Sequence, residues 1–174
     1  MSKKNVSFFG FTLLFLTAAI ISFTGCKKDS SSPTGPETVL GSGKITLNGG
    51  GFSNKSIDFY LSMGSHATAT NSTEIVCYTA GTDSLWFAIS FPGASTGTYS
   101  WSAGSTSFTT LYLYSAQKTY VSLYNGQTVI TKVDGVGGKI AGTFSGYVVN
   151  TVNADSISVS GSFSATRLSD VSKK

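Results

Sequence analysis

From Gly41 onward, apolar and polar residues alternate with a period of two, the spacing of half-buried β-strands and not of helices. The clearest case runs over 155–167. Ile157, Val159, Gly161, Phe163 and Ala165 fall on one face, and Ser156, Ser158, Ser160, Ser162, Ser164 and Thr166 on the other. One face belongs to a core and the other to water. The same reading predicts strands over 44–48, 57–63, 73–79, 85–91, 98–103, 108–115, 118–124, 128–133 and 139–149, about ten in all. Turn signals punctuate them: Asn48-Gly49-Gly50-Gly51, Gly81-Thr82-Asp83, Pro92-Gly93, Asn125-Gly126, Asp134-Gly135 and Asn153-Ala154-Asp155. Asn-Gly and Asp-Gly are favoured hairpin dipeptides. A single open sheet would leave its apolar face in water, so many short strands imply a closed or two-layered structure. The predicted fold class is all-β: an antiparallel β-sandwich of about ten short strands, with a small β-barrel as the alternative.

Composition agrees with this pattern. Only 11 % of the 174 residues are charged, aromatics reach 13 %, and there are 20 glycines but 3 prolines. A helical bundle needs far more Glu, Lys, Ala and Leu, and a disordered chain would not carry so many aromatics. The net charge of +4 raises the question of nucleic acid. Most of it lies at the chain ends, in Lys3, Lys4, Lys27, Lys28, Lys173 and Lys174. Between Gly41 and Leu168, Lys44, Lys55, Lys118, Lys132, Lys139 and Arg167 face Asp58, Glu74, Asp83, Asp134 and Asp155, a net of +1. No basic cluster is left to neutralise phosphates, so nucleic acid is not an expected partner.

The amino-terminal segment carries different information. Lys3 and Lys4 precede an uncharged apolar run from Phe8 to Phe23. At about 1.5 Å per residue the run covers roughly 24 Å as a helix, short of the ~30 Å hydrocarbon core. That length fits the apolar region of a signal peptide. It ends in Phe23-Thr24-Gly25-Cys26, and here the chain resembles a bacterial lipoprotein precursor with its lipobox. The resemblance implies cleavage between Gly25 and Cys26, a diacylglyceryl group on Cys26 and a membrane partner reached through that lipid. Phe23 stands where the usual lipobox has Leu. More than one acyl chain would hold the protein firmly, at about 0.8 kcal/mol per buried CH₂. Lys27-Lys28-Asp29 and the Ser/Pro/Gly stretch to Thr38 read as a flexible tether. Cys-Lys-Lys-Asp followed by serines is similar to lipoproteins of the Bacteroidota, which implies an outer-membrane location with exposure at the cell surface. Only one acid, Asp29, follows Lys28. The expected organisation is a signal peptide over 1–25, lipidated Cys and tether over 26–40, an all-β domain over 41–168 and a polar tail over 169–174.

Within the domain, Gly138-Lys139-Ile140-Ala141-Gly142-Thr143-Phe144-Ser145-Gly146 alternates glycine with bulky residues, and Gly161-Ser162-Phe163 repeats the motif. Such alternation lets a neighbouring side chain lie over the backbone. The pair resembles the terminal hairpin of a group of uncharacterised Bacteroidota lipoproteins, for which it implies no activity.

Candidate chemistry is sparse. The single histidine, His66, reads as a loop residue after Gly64-Ser65, and no G-x-S-x-G elbow surrounds any serine. One His, one Cys beyond Cys26 and singly scattered acids form no zinc, calcium or paired-carboxylate pattern. Asp83, Asp134 and Asp155 read as turn residues. Cys77 has no disulfide partner once Cys26 is lipidated and reads as a buried thiol. No catalytic residue and no cofactor beyond the Cys26 lipid is expected. The aromatics remain. If Leu111, Leu113, Val121 and Leu123 face the core, then Tyr112, Tyr114, Tyr120 and Tyr124 form an outward ladder across a hairpin, joined by Trp86. Such a ladder either stabilises the sheet or offers a platform to a sugar ring or a protein. The expectation is a lipid-anchored, non-enzymatic envelope domain. Its partners would be a glycan, bound by a carbohydrate-binding module on the tyrosine face, or an outer-membrane protein complex served by an accessory subunit.

Overall fold

A computed structural model describes residues 40–123 and 125–172. Eleven strands account for the fold: β1 (Ser42–Gly49), β2 (Phe52–Phe59), β3 (Leu61–Ala67), β4 (Ser72–Tyr78), β5 (Leu85–Pro92), β6 (Gly97–Ser100), β7 (Phe108–Leu113), β8 (Lys118–Val121), β9 (Gln127–Val133), β10 (Lys139–Asn150) and β11 (Ser156–Arg167). All belong to one hydrogen-bonded system in the order β2-β1-β11-β3-β4-β5-β7-β8-β10-β9-β6, with a further ladder between β10 and β11. The long ladders divide it into two layers. One is β2-β1-β11-β10-β9-β6, and the other is β3-β4-β5-β7-β8. They join only at two corners of two residue pairs each. Met63 and Gly64 of β3 pair with Thr166 and Arg167 of β11, while Tyr120 and Val121 of β8 pair with Asn150 and Val149 of β10. The all-β expectation holds. The β3–β11 corner is parallel, so the sheet is mixed where uniform antiparallel pairing was expected.

The apolar parity of each strand makes the core between the layers. Phe87 of β5 lies 4.5 Å, centroid to centroid, from Phe144 of β10 and 6.4 Å from Phe59 of β2. Ile45, Leu47, Ile75, Ile89, Leu111, Ile130, Ile140, Val148, Ile157 and Val159 fill the rest. Each such side chain is worth about 1.5–3 kcal/mol in transfer from water.

The glycine alternation has the predicted structural meaning. Phe144 stands opposite Gly161 and Phe163 opposite Gly142 across the β10–β11 ladder. A Cβ on Gly161 would run into the Phe144 ring and the Lys44 carbonyl, and one on Gly142 into the Val129 carbonyl. The Phe144 and Phe163 rings therefore reach over the bare backbone of the glycines opposite them.

Three local expectations are corrected. The run 57–63 is two strands, because the chain leaves one layer at Phe59 and enters the other at Leu61, with Tyr60 at the bend. Asn125-Gly126 makes no hairpin. Asn125 has φ 59, but β8 and β9 do not pair, and the turn carries the chain from one layer to the other. His66 lies in β3, not in a loop. Asp134-Gly135 does close a hairpin, with the Asp134 amide donating to the Lys139 carbonyl at 2.8 Å.

Candidate functional site

The five-stranded layer presents an outer face that is apolar instead of polar. Reading across its ladders, one row is Leu61, Tyr78, Trp86, Tyr112 and Thr119. The next is Met63, Val76, Ala88, Thr110 and Val121, and the third is Ser65, Glu74, Ser90 and Phe108. Tyr60, Phe108 and Tyr114 are the exposed large residues along this face, and Tyr114 meets Tyr112 edge-on at 4.9 Å. Neighbours cover the middle so well that Ala88, pointing outward, is only 3 % exposed. Local packing thus gives a continuous aromatic and aliphatic sheet surface.

Two of its groups titrate abnormally. Glu74 is half-buried among these side chains, and burial raises its carboxyl above the ordinary value of 4.5. No cation pairs with it among the described residues. The Tyr78 hydroxyl is also raised, first by burial and then by Tyr114, Tyr60 and Glu74 nearby. The face resists charge.

Of the five residues expected on a binding face, Trp86 and Tyr112 are direct cross-strand partners and Tyr114 adjoins them. Tyr120 is a correction. It pairs with Leu111, points into the core and is 0 % exposed. The cause is parity: Ser122, on the same side, turns inward and accepts a hydrogen bond from the Thr109 amide at 2.7 Å, while Val121 takes the outer position expected for tyrosine. Tyr124 lies outside the described residues, as do Cys26 and the expected cleavage site. The face also holds Phe108, which shares the parity of Tyr112 and Tyr114, and gains Tyr78 and Tyr60, which the alternation did not single out. Tyr78 carried a readable signal, since it shares parity with Val76 in a strand whose other face is Ile75 and Cys77.

The remaining reactive side chains have structural surroundings. His66 Nδ1 lies 3.1 Å from Thr73 Oγ1, whose own hydroxyl donates to the Gly93 carbonyl. The ring nitrogen therefore donates to a threonine, and no carboxylate orients it among the described residues. Burial pushes the Cys77 thiol up to about 12, with the neighbouring Ser62 hydroxyl offsetting part of the rise, so it stays un-ionised and unreactive near neutrality. Among the described residues no three His, Cys, Asp or Glu side chains come together as metal ligands. Trp101 is buried as a core residue, donating from Nε1 to Thr128 Oγ1 at 2.8 Å.

No protein-family model matches the chain, and no curated protein or solved structure proves similar to it.

Proposed function

We propose that this protein is a non-enzymatic accessory subunit of a bacterial envelope assembly, held on the outer membrane by a lipid on Cys26. It docks through the outer face of β3-β4-β5-β7-β8. The observation that carries the reading is the aromatic and aliphatic surface that Leu61, Tyr78, Trp86, Tyr112, Met63, Val76 and Ala88 form on this layer. Interface cores are poor in charge and rich in Tyr, Trp, Phe and Met, and this face holds all four with one carboxyl, Glu74, whose ionisation burial disfavours. A flat face of this kind fits a flat apolar face on a protein partner. A photo-reactive residue at Tyr114 should cross-link a specific envelope protein in intact cells, whereas one at Ser160 on the opposite layer should not. Equal labelling from both positions would overturn the reading. For the anchor, Cys26→Ala should move the protein from the membrane to the soluble fraction. Persistence in the membrane would show that something else holds it.

A second reading, a carbohydrate-binding module, is supported by the row Tyr78, Trp86 and Tyr112, since aromatic rings with polar edges suit sugar stacking. It requires glycan binding that Trp86→Ala abolishes.

A further inference from the structure

The opposite face of the molecule holds a separate site. Two outer rows of the six-stranded layer are polar and uncharged: Ser56, Thr46, Ser160, Ser145, Gln127 and Ser100 form one, and Asn48, Ser158 and Tyr147 the next. Tyr147 is the aromatic exception, and half of it, 52 %, is exposed. β10 pairs with β9 as far as Ser145↔Gln127 and with β8 only from Val149↔Val121. Between those points its edge is released from both neighbours. A shallow groove of about 460 Å³ lies there, lined by Asn125, Gln127, Ser145, Tyr147, Ser158 and Ser160 over the backbone of Gly126, Gly146 and Val159.

The floor of the groove is fixed. A Cβ on Gly126 or Gly146 would strike the Trp101 indole, so the ring packs directly beneath both glycines and the strand edge cannot settle inward. The walls are free. Among the described residues, none of the six polar side chains makes a side-chain hydrogen bond within the protein, and none is an Asp, Glu, Lys, Arg or His. Two carboxamides offer paired donor and acceptor atoms, three hydroxyls can do either, and one ring offers an apolar surface. The volume lies within the usual range for small-ligand sites, about 300–1,000 Å³.

We infer that this groove binds a neutral saccharide. Amides and hydroxyls match vicinal sugar hydroxyls, Tyr147 supplies the stacking surface for the apolar face of a pyranose, and the lack of lining charge disfavours anionic ligands. The inference stands apart from the docking face, since it lies on the other layer and shares no residue with it.

The test is a panel of neutral and anionic oligosaccharides presented to the full-length chain in a detergent without a sugar headgroup, with hits titrated in solution. Saturable binding of a neutral oligosaccharide is expected. It should weaken about tenfold in Tyr147→Ala, the effect of losing one stacking contact, and be kept in Tyr147→Trp. Gln127→Ala should weaken it as well. These positions are at the surface, so unchanged thermal melting would exclude misfolding as the cause. A folded protein that retains no neutral oligosaccharide would overturn the inference. So would binding that survives Tyr147→Ala, including binding lost only in Trp86→Ala, which would move the site to the aromatic face.

Discussion

The two outer faces of this sandwich are built on the same kind of ladder and end up with opposite chemistry. On the β10–β11 side every outward position of β11 is Ser or Thr, from Ser156 to Thr166, and the surface is wet. On the β4–β5 side the outward positions include Tyr78, Val76, Trp86 and Ala88, with Glu74 and Ser90 beyond them, and the first four make a surface that is nearly a second core without a cover. Soluble monomers seldom expose a contiguous apolar patch of any size. The difference teaches that alternation sorts side chains between inside and outside only where one parity is polar.

Tyr120 and Tyr112 give the sharpest way to break the comparison, because they sit on adjacent strands and differ only in the side they face. Tyr120→Ala should cost about 3–5 kcal/mol, the usual effect of emptying a buried aromatic site. Tyr112→Ala, on the half-buried outer face, should cost about 1 kcal/mol. Urea melts of the two variants compare them directly, and equal losses would mean that the two rings do not lie on opposite sides.

Next in size is the close packing of Trp101 on glycine. Gly126→Ala puts a methyl group into the indole and should cost about 1–3 kcal/mol, as overpacking does. Gly135→Ala is the control, since a Cβ there meets nothing within 4 Å. Similar losses at the two glycines would point to backbone freedom and not to contact with the ring.

A smaller effect tests the dryness of the aromatic face. Burial raises the Glu74 carboxyl above its ordinary 4.5, so the folded state holds this proton more tightly than the unfolded chain. Ionisation therefore removes stability as pH rises from about 4.5 through the raised folded value. Glu74→Gln should melt above wild type at pH 7, and the gain should vanish below about pH 4. A gain that persists in acid would have another cause. Least of all, Ser160→Ala and Ser162→Ala on the wet face should each change stability by no more than about 0.5 kcal/mol.

The legibility of the fold follows the same divide. β11 was readable residue by residue, because its two parities differ in polarity. The strand 118–124 was not. Tyr120, Val121 and Leu123 leave both sides apolar, and the inward turn of Ser122 depends on an amide of β7 that no local pattern announces. Trp86 and Tyr112 were identifiable as outward because Leu85, Phe87, Leu111 and Leu113 claimed the core. The groove beside Tyr147 was not visible at all. It exists because β10 exchanges one partner for another, a property of the topology and not of any single segment.

The position of β11 governs how the chain can fold. It comes last in sequence among the described strands, yet it is bonded to β1, β10 and β3, and its pairing sets Ile45 against Gly161 across more than a hundred residues. Contacts so distant in sequence make folding slow, and before 158–164 exist β1 has no strand partner but β2 among the described residues. A growing chain therefore has no native way to complete its core. A nascent polypeptide of this topology stays open at β1 and β10 until β11 has been made.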